Sequence, residues 1–222
     1  MTNATAVEAV IFDMDGVLID SEVVYMNRLR WFVRDFLGKQ VPEERLLTMV
    51  GATGNGHFEA VREYCPPDWD IEVFRSHYRE FGKDKPIDYP GILFPDALPA
   101  LEWLKRHGYR TVLATSTIRE RAEEIKTLCG FGAYMEFVLC GDMFRESKPN
   151  PEIYLRCLEL LKLPGENCLV VEDSPYGIEA AVRAGIPVVV RRERRFPVDQ
   201  RGADWYIDSL AELPGLLMGS PK

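Results

Sequence analysis

The sequence predicts an α/β fold: a doubly wound, Rossmann-like parallel sheet core with an α-helical domain inserted into it. Three observations carry the prediction. Short apolar runs rich in β-branched residues recur at 7–12, 110–115, 136–140, 167–171 and 186–190. Being continuous rather than alternating, they read as strands buried on both faces. Helical stretches lie between the later runs, at 119–130, 151–162 and 175–184, and end in turn residues such as Gly130, Pro164-Gly165 and Gly185, which makes them crossover units of a parallel sheet. The third observation is a break in that rhythm. Nearly a hundred residues separate the first run from the second, where the other steps take about twenty to thirty.

The elements follow in chain order. The first strand ends at Phe12 and gives way to Asp13-Met14-Asp15-Gly16. Residues 21–37 read as a helix starting behind Asp20 and Ser21, both good N-cap types, with further helices at 42–50, 55–64 and 69–82. None of this stretch reads as a strand. Trp31, Phe32 and Phe36 fall at helical spacing in the first of these helices and are expected to pack the inserted domain. A helix at 95–107 then precedes the second strand. The expected division is a core of 1–19 and 90–222 and a helical cap of 20–89, hinged near 16–20 and 88–92. A cap standing over the carboxyl ends of the strands can exclude water and carry specificity.

Composition narrows the classes of function. The 222 residues include 35 acidic and 27 basic side chains, a net charge of −8, which disfavours general binding to nucleic acid or anionic membranes. Attraction for an anionic substrate must then be local. The amino-terminal stretch has no basic leader and its apolar run stops at Asp13, so neither a signal peptide nor a membrane span is expected. The five cysteines, Cys65, Cys129, Cys140, Cys157 and Cys168, show no CxxC or Cys/His metal spacing, and a reduced, cytoplasmic protein is expected.

Asp13 and Asp15 are the most informative residues. Side chains at i and i+2 of an extended chain project to one side, so both acids face the space beyond the strand's carboxyl end, where open α/β sheets bind ligands. Two crowded carboxylates call for a divalent cation, a shared proton or both; an acidic turn capping a helix is the plainer alternative. Ser116 and Thr117 end the second strand just before a helix, where hydroxyls and free backbone N–H groups suit a phosphate, although such residues cap helices everywhere. Lys148, ahead of the helix from 151, would by itself be a solvated loop lysine. Glu172 and Asp173 close the apolar run Cys168-Leu169-Val170-Val171 and lead into a helix with Pro175 in its first turn, a place that an ordinary N-cap also fills.

Their order is the specific signal: DxD, then Ser/Thr, then Lys-Pro, then Glu-Asp, each at the carboxyl end of a strand. This order resembles the haloacid dehalogenase superfamily over nearly the whole chain, and within it the phosphatase and β-phosphoglucomutase-like branch with a helical cap after the first motif. The resemblance implies a Mg²⁺-dependent phosphatase acting on a small phosphate monoester, by default a sugar phosphate, through an aspartyl-phosphate. It makes Asp13 the nucleophile and Asp15 the general acid/base. Ser116 and Thr117 are then the phosphate-binding hydroxyls, and Lys148 neutralises the phosphoryl oxygens and restrains Asp13. Asp13, Glu172 and Asp173 hold Mg²⁺ with the backbone carbonyl of Asp15, a set of hard oxygen ligands.

Asp15 argues against the dehalogenases of the superfamily, which lack the second aspartate, and against the phosphonate-cleaving members, which carry a small residue there. The mutases carry a histidine at the position matching Tyr25 and an arginine shortly after the cap glycine, near Gly54, and neither is present. Hydrolysis is therefore favoured, with a phosphomutase as the alternative and a pyrophosphatase or a non-catalytic phosphate-binding domain behind it. Ser147-Lys148-Pro149 resembles the mutase spelling, and Arg119 could meet a distal phosphate. His57 reads as an exposed helix-start histidine, with a place in a specificity loop as the alternative. His77 and His107 read as surface positions, and Arg191-Arg192-Glu193-Arg194-Arg195 as a solvated loop. The expected partner is a small phosphorylated metabolite, with no nucleic acid and no membrane, and a monomer is the favoured state.

Overall fold

A computed structural model of the chain describes residues 7–50 and 55–219; Gly54 and its neighbours at 51–53 lie outside the described residues. The chain forms two compact units, one joining the residues up to Asp20 with those from Tyr89 onward, the other Ser21–Asp88.

The first unit opens with β1 (Ala9–Phe12), all four residues of which are buried. The chain beyond it turns tightly. Met14 O accepts from the amides of Val17, Leu18 and Ile19, and Gly16 takes φ +75°, where a glycine has no steric penalty. Residues 18–20 then pair with the segment that closes the insertion: Asp20 N donates to Ile92 O at 2.7 Å and Phe94 N to Leu18 O at 3.0 Å.

The helical unit contains α1 (Ser21–Trp31), α2 (Glu43–Leu46), α3 (Gly56–Val61) and α4 (Ile71–Lys83). Asp70 caps α4, its Oδ1 accepting from the amides of Glu72 and Val73 at 2.9 Å. Phe32 is the centre of this unit, fully buried, edge-on to Phe74, Tyr78 and Phe81 and stacked on Phe36. The helix expected over 21–37 passes at its end into a π-helical turn, Phe32–Phe36. Of the three aromatic residues expected to pack inside, only Phe32 is buried; Trp31 and Phe36 are exposed. Trp31 stands one residue, about 100° of helix, round from Phe32 and lies under the Lys85 ammonium. His57 also differs from expectation: it is half-buried, with the rings of Tyr25 and Tyr78 at 5.9 and 5.8 Å. His77 is stacked on Trp69 at 4.5 Å.

After Tyr89 the chain continues through α5 (Ala97–Arg106), β2 (Arg110–Thr115), α6 (Arg119–Leu128), β3 (Val138–Cys140), α7 (Glu152–Leu161), β4 (Cys168–Glu172), α8 (Pro175–Arg183), β5 (Val188–Arg191), β6 (Trp205–Ile207) and α9 (Leu213–Met218). The strands form one parallel sheet in the order β3-β2-β1-β4-β5-β6, with Phe12 in register with Leu113 and Val171. This is a doubly wound, Rossmann-like α/β fold. Ala9, Ile11, Val112, Val170 and Val188 pack with Tyr154, Cys157, Ile178 and Ala181 of α7 and α8. Val10, Phe12, Leu113, Val171 and Val189, which alternate with them, are buried as well. Burial on both faces is why these strands read as unbroken apolar runs.

Further features add to the sequence reading or depart from it. The edge strand β6 has only three residues, Trp205-Tyr206-Ile207, with Trp205 exposed, an apolar run too short to stand out in the sequence. The arginine run is solvated as expected beyond Arg191, which ends β5, but its members are paired: Arg191 with Asp96, Arg192 and Arg194 with Asp208, and Arg195 with Asp20 and Glu193. Asp20, read as an N-cap, instead gives both carboxylate oxygens to Arg195 at 2.7 and 2.8 Å. No disulfide joins any of the five cysteines, and no helix among the described residues is long and apolar enough to cross a membrane.

Candidate active site

The sheet reverses its winding about β1 and β4, so the carboxyl ends of β2, β1 and β4 border one crevice. Asp13 is the first residue past β1 and keeps the ladder, donating N–H to Val171 O at 3.0 Å. Lys148 reaches the same place from the segment before α7 and is only 3% exposed. Its Nζ donates to Asp13 Oδ1 at 2.6 Å, Glu172 Oε1 at 2.6 Å and Ala114 O at 3.0 Å, which uses all three ammonium protons. Tyr154 supports this arrangement from α7: its hydroxyl donates to Glu172 Oε1 at 2.7 Å and its ring lies 4.9 Å from Lys148 Nζ. The other Glu172 oxygen, Oε2, accepts from Asp173 N, Ser174 N and Ser174 Oγ. Ser174 in turn caps α8, accepting from Gly177 N at 3.0 Å.

Electrostatics follow from this geometry. Asp13, Glu172 and Asp173 are buried and each presents an oxygen within 4.8 Å of the others'. Burial pushes the Asp13 carboxyl up to about 7, against the pull of Lys148. Burial acts on Glu172 in the same direction, but the Lys148 charge and the hydrogen bonds it receives hold it below its ordinary value. One ammonium thus satisfies only one of two carboxylates in full. Lys148 itself, despite burial, is held well above the ordinary lysine value by Asp13 and Glu172. Three carboxylates against one ammonium leave a surplus of two negative charges, all offered by oxygen atoms. That donor set fits a hard divalent cation such as Mg²⁺.

Asp15, half-buried, completes the cluster from the turn after β1. Its Oδ2 accepts from Thr117 Oγ1 at 2.8 Å, while Oδ1 is buried without a hydrogen-bond partner. A buried lone acceptor is costly, and a hydroxyl of a bound substrate would satisfy it. Thr117 commits its hydroxyl proton to Asp15, so in this structure it orients the acid rather than offering that proton to a phosphate. Ser116 sits in the same turn beyond β2, backed by Gly141, where a Cβ would overlap the Ser116 carbonyl. Arg119 opens α6 two residues after Thr117; its amide donates to Asp142 Oδ1 and it lines a cavity of about 420 Å³ with Glu123, Lys126 and Phe137.

Tyr154 and Gly177 escaped notice as site residues in the sequence reading, where Gly16 figured only as the residue that allows the tight turn after Asp15. A Cβ on Gly16 would overlap the Asp173 carboxylate, and one on Gly177 the Glu172 carboxylate. The signal for Tyr154 was a tyrosine on the apolar face of α7, six residues after Lys148; Gly177 gave none. Gly177→Ala is expected to displace Glu172, costing about 1–3 kcal/mol of stability and at least roughly tenfold in activity. Thermal unfolding and turnover measured beside Gly215→Ala, whose Cβ meets nothing within 4 Å, test this. Equal behaviour of the two variants would contradict it.

Residues 10–191 match the haloacid dehalogenase-like hydrolase family. Over 181 residues the chain is 34% identical to a phosphorylated carbohydrates phosphatase of Thermotoga maritima, an alignment covering 81% of this chain and 82% of that one. It is 30% identical over 221 residues to a plasmid phosphoglycolate phosphatase of Cupriavidus necator, covering 94% and 92%. Among solved structures, a CbbY variant of Rhodobacter sphaeroides in complex with xylulose-(1,5)bisphosphate superimposes with a TM-score of 0.75 at 27% identity, covering 93% of this chain and 96% of that one.

Proposed function

The chain belongs to the haloacid dehalogenase-like hydrolase family, and from that premise we propose that it is a Mg²⁺-dependent phosphatase hydrolysing a sugar phosphate through a phosphorylated Asp13. The observation that carries the reading is the buried cluster in which Lys148 holds one oxygen of Asp13 beside Glu172 and Asp173. Two relatives named as phosphatases, one of phosphorylated carbohydrates and one of phosphoglycolate, support the reaction class. The sugar bisphosphate bound by the CbbY variant supports the substrate class.

Each residue then has a task. Lys148 holds Asp13 Oδ1, so the second carboxylate oxygen attacks phosphorus. As the Asp13–phosphorus bond forms, the bond to the leaving alkoxide breaks and Asp15 delivers its proton to that oxygen. Asp15, held by Thr117, next takes a proton from water, whose oxygen attacks phosphorus and releases Asp13 with inorganic phosphate. Lys148 and the turn at Ser116 neutralise and position the phosphoryl oxygens, which is most of what phosphoryl transfer needs. Asp13 and Asp173, with the Asp15 carbonyl, would hold Mg²⁺, which when bound adds positive charge at the phosphoryl oxygens. Glu172 has both oxygens engaged by five donors and serves this site through its charge and by fixing Lys148. We take the enzyme to be cytoplasmic, in keeping with buried cysteines that form no disulfide, and monomeric.

The test is phosphate release with Mg²⁺ across sugar phosphates, phosphoglycolate, pyrophosphate and nucleotides, with a chelator control and analysis for isomerised sugar phosphate. Release from a sugar phosphate, lost on chelation, is expected. Isomerisation without release would make the protein a mutase, and silence on every compound would end the enzymatic reading. Asp15→Asn is expected to lose roughly a hundredfold or more in turnover on both sugar and aryl phosphates, because the water step loses its base, while the first-turnover burst of alcohol is lost only for sugar phosphates, since aryl leaving groups need no proton. Equal loss of that burst on both substrate types would remove the acid role from Asp15.

A further inference from the structure

We propose that Gln200, on the irregular segment between β5 and β6, is a positioning residue that sets the divalent-cation affinity of the site by fixing the backbone at Asp173. This rests on the reading of Asp13 and Asp173 as cation ligands. Glu172 is the last residue of β4 paired to β5, in register with Val190. One residue later the chain turns into α8, and the Asp173 carbonyl loses the strand partner that would have satisfied it. Gln200 supplies the missing donor. Its Nε2 donates to Asp173 O at 2.6 Å and to Arg191 O at 3.0 Å, and its Oε1 accepts from Glu193 N at 3.0 Å.

The orientation of the carboxamide is determined by these partners, since a flipped amide would set its oxygen against two carbonyls. The segment carrying Gln200 is itself anchored, because the Tyr206 hydroxyl donates to Gln200 O at 3.0 Å. Both peptide groups flanking Asp173 are thus pinned by side chains: its N–H by Glu172 Oε2 at 3.0 Å and its carbonyl by Gln200. On the carboxylate side Gly16 leaves no more room than Asp173 needs, as a Cβ there would overlap it. Asp173 is therefore held from three directions, and Gln200 is the one contributed by a segment that takes no part in the chemistry. Outer groups that orient metal ligands typically control tenfold to a hundredfold of affinity.

Gln200→Met keeps the volume of the side chain and removes its hydrogen bonds. Calorimetric titration of the substrate-free full chain with Mg²⁺ is expected to show affinity weakened by about tenfold or more. The thermal transition in chelator should move little. A Gln200→Met protein that binds Mg²⁺ as tightly as the parent overturns the positioning role, whatever its melting temperature. A parent that takes up no Mg²⁺ overturns the cation site itself, and the positioning role with it. Should Gln200→Met not fold, Gln200→Asn, which retains the amide one methylene short of its partners, carries the same titration.

Discussion

Replacing Asp13 by asparagine is expected to lower turnover by roughly four orders of magnitude or more while leaving the protein folded. The substitution is isosteric, and the amide oxygen can still accept from Lys148, which keeps Glu172 as its second partner. What is lost is the proposed nucleophile. Stability should move the other way, with a sign that depends on pH. Burial raises the Asp13 carboxyl from 3.8 to about 7, so its protonated form is the one the fold favours. Its contribution is complete below pH 3.8 and disappears as pH rises through about 7. In chelator, the parent should therefore lose stability relative to Asp13→Asn across that interval. Turnover within tenfold of the parent would end the nucleophile assignment, and a parent that gains stability over the variant with rising pH would contradict the electrostatic account.

Much of this site was legible because its residues occur where apolar runs stop. Asp13, Ser116 and Glu172 each follow or close a run whose burial on both faces leaves a continuous hydrophobic signature, and polar residues at such ends announce themselves. Lys148 was legible only by its order in the chain, because a lysine in a loop looks solvated until a fold brings two carboxylates to it. Contacts between residues distant in sequence were not readable. Asp20 looked like a helix cap because that role is local, whereas its partner Arg195 is 175 residues away. The same holds for Thr117, whose local chemistry suited a phosphate but whose hydroxyl donates to Asp15 across 102 residues. His57 was misread as exposed because its neighbours Tyr25 and Tyr78 belong to other helices. β6 was missed for another reason: an apolar run of three residues, of which only Ile207 is buried, is too short to announce a strand.

Removing the ammonium at the centre of the cluster should have the largest effect on stability. Lys148→Met preserves a long unbranched side chain over Tyr154 but leaves Asp13 and Glu172 buried with no cation between them. Breaking a buried ion pair by deleting one partner costs about 3–5 kcal/mol, and here one deletion breaks two pairs. Activity should fall as well, by at least roughly a hundredfold, because charge at the phosphoryl oxygens is the main catalytic demand. The two losses can be separated. Adding Glu172→Gln to Lys148→Met removes one of the stranded charges, and urea unfolding should show part of the stability restored, whereas turnover should stay low because the ammonium is still missing. Glu172→Gln alone, with Lys148 still pairing to Asp13, should be destabilised less than Lys148→Met. The coupling between the two positions is the quantity to measure. Strictly additive unfolding free energies would mean that Lys148 and Glu172 do not stabilise one another, despite the 2.6 Å between them.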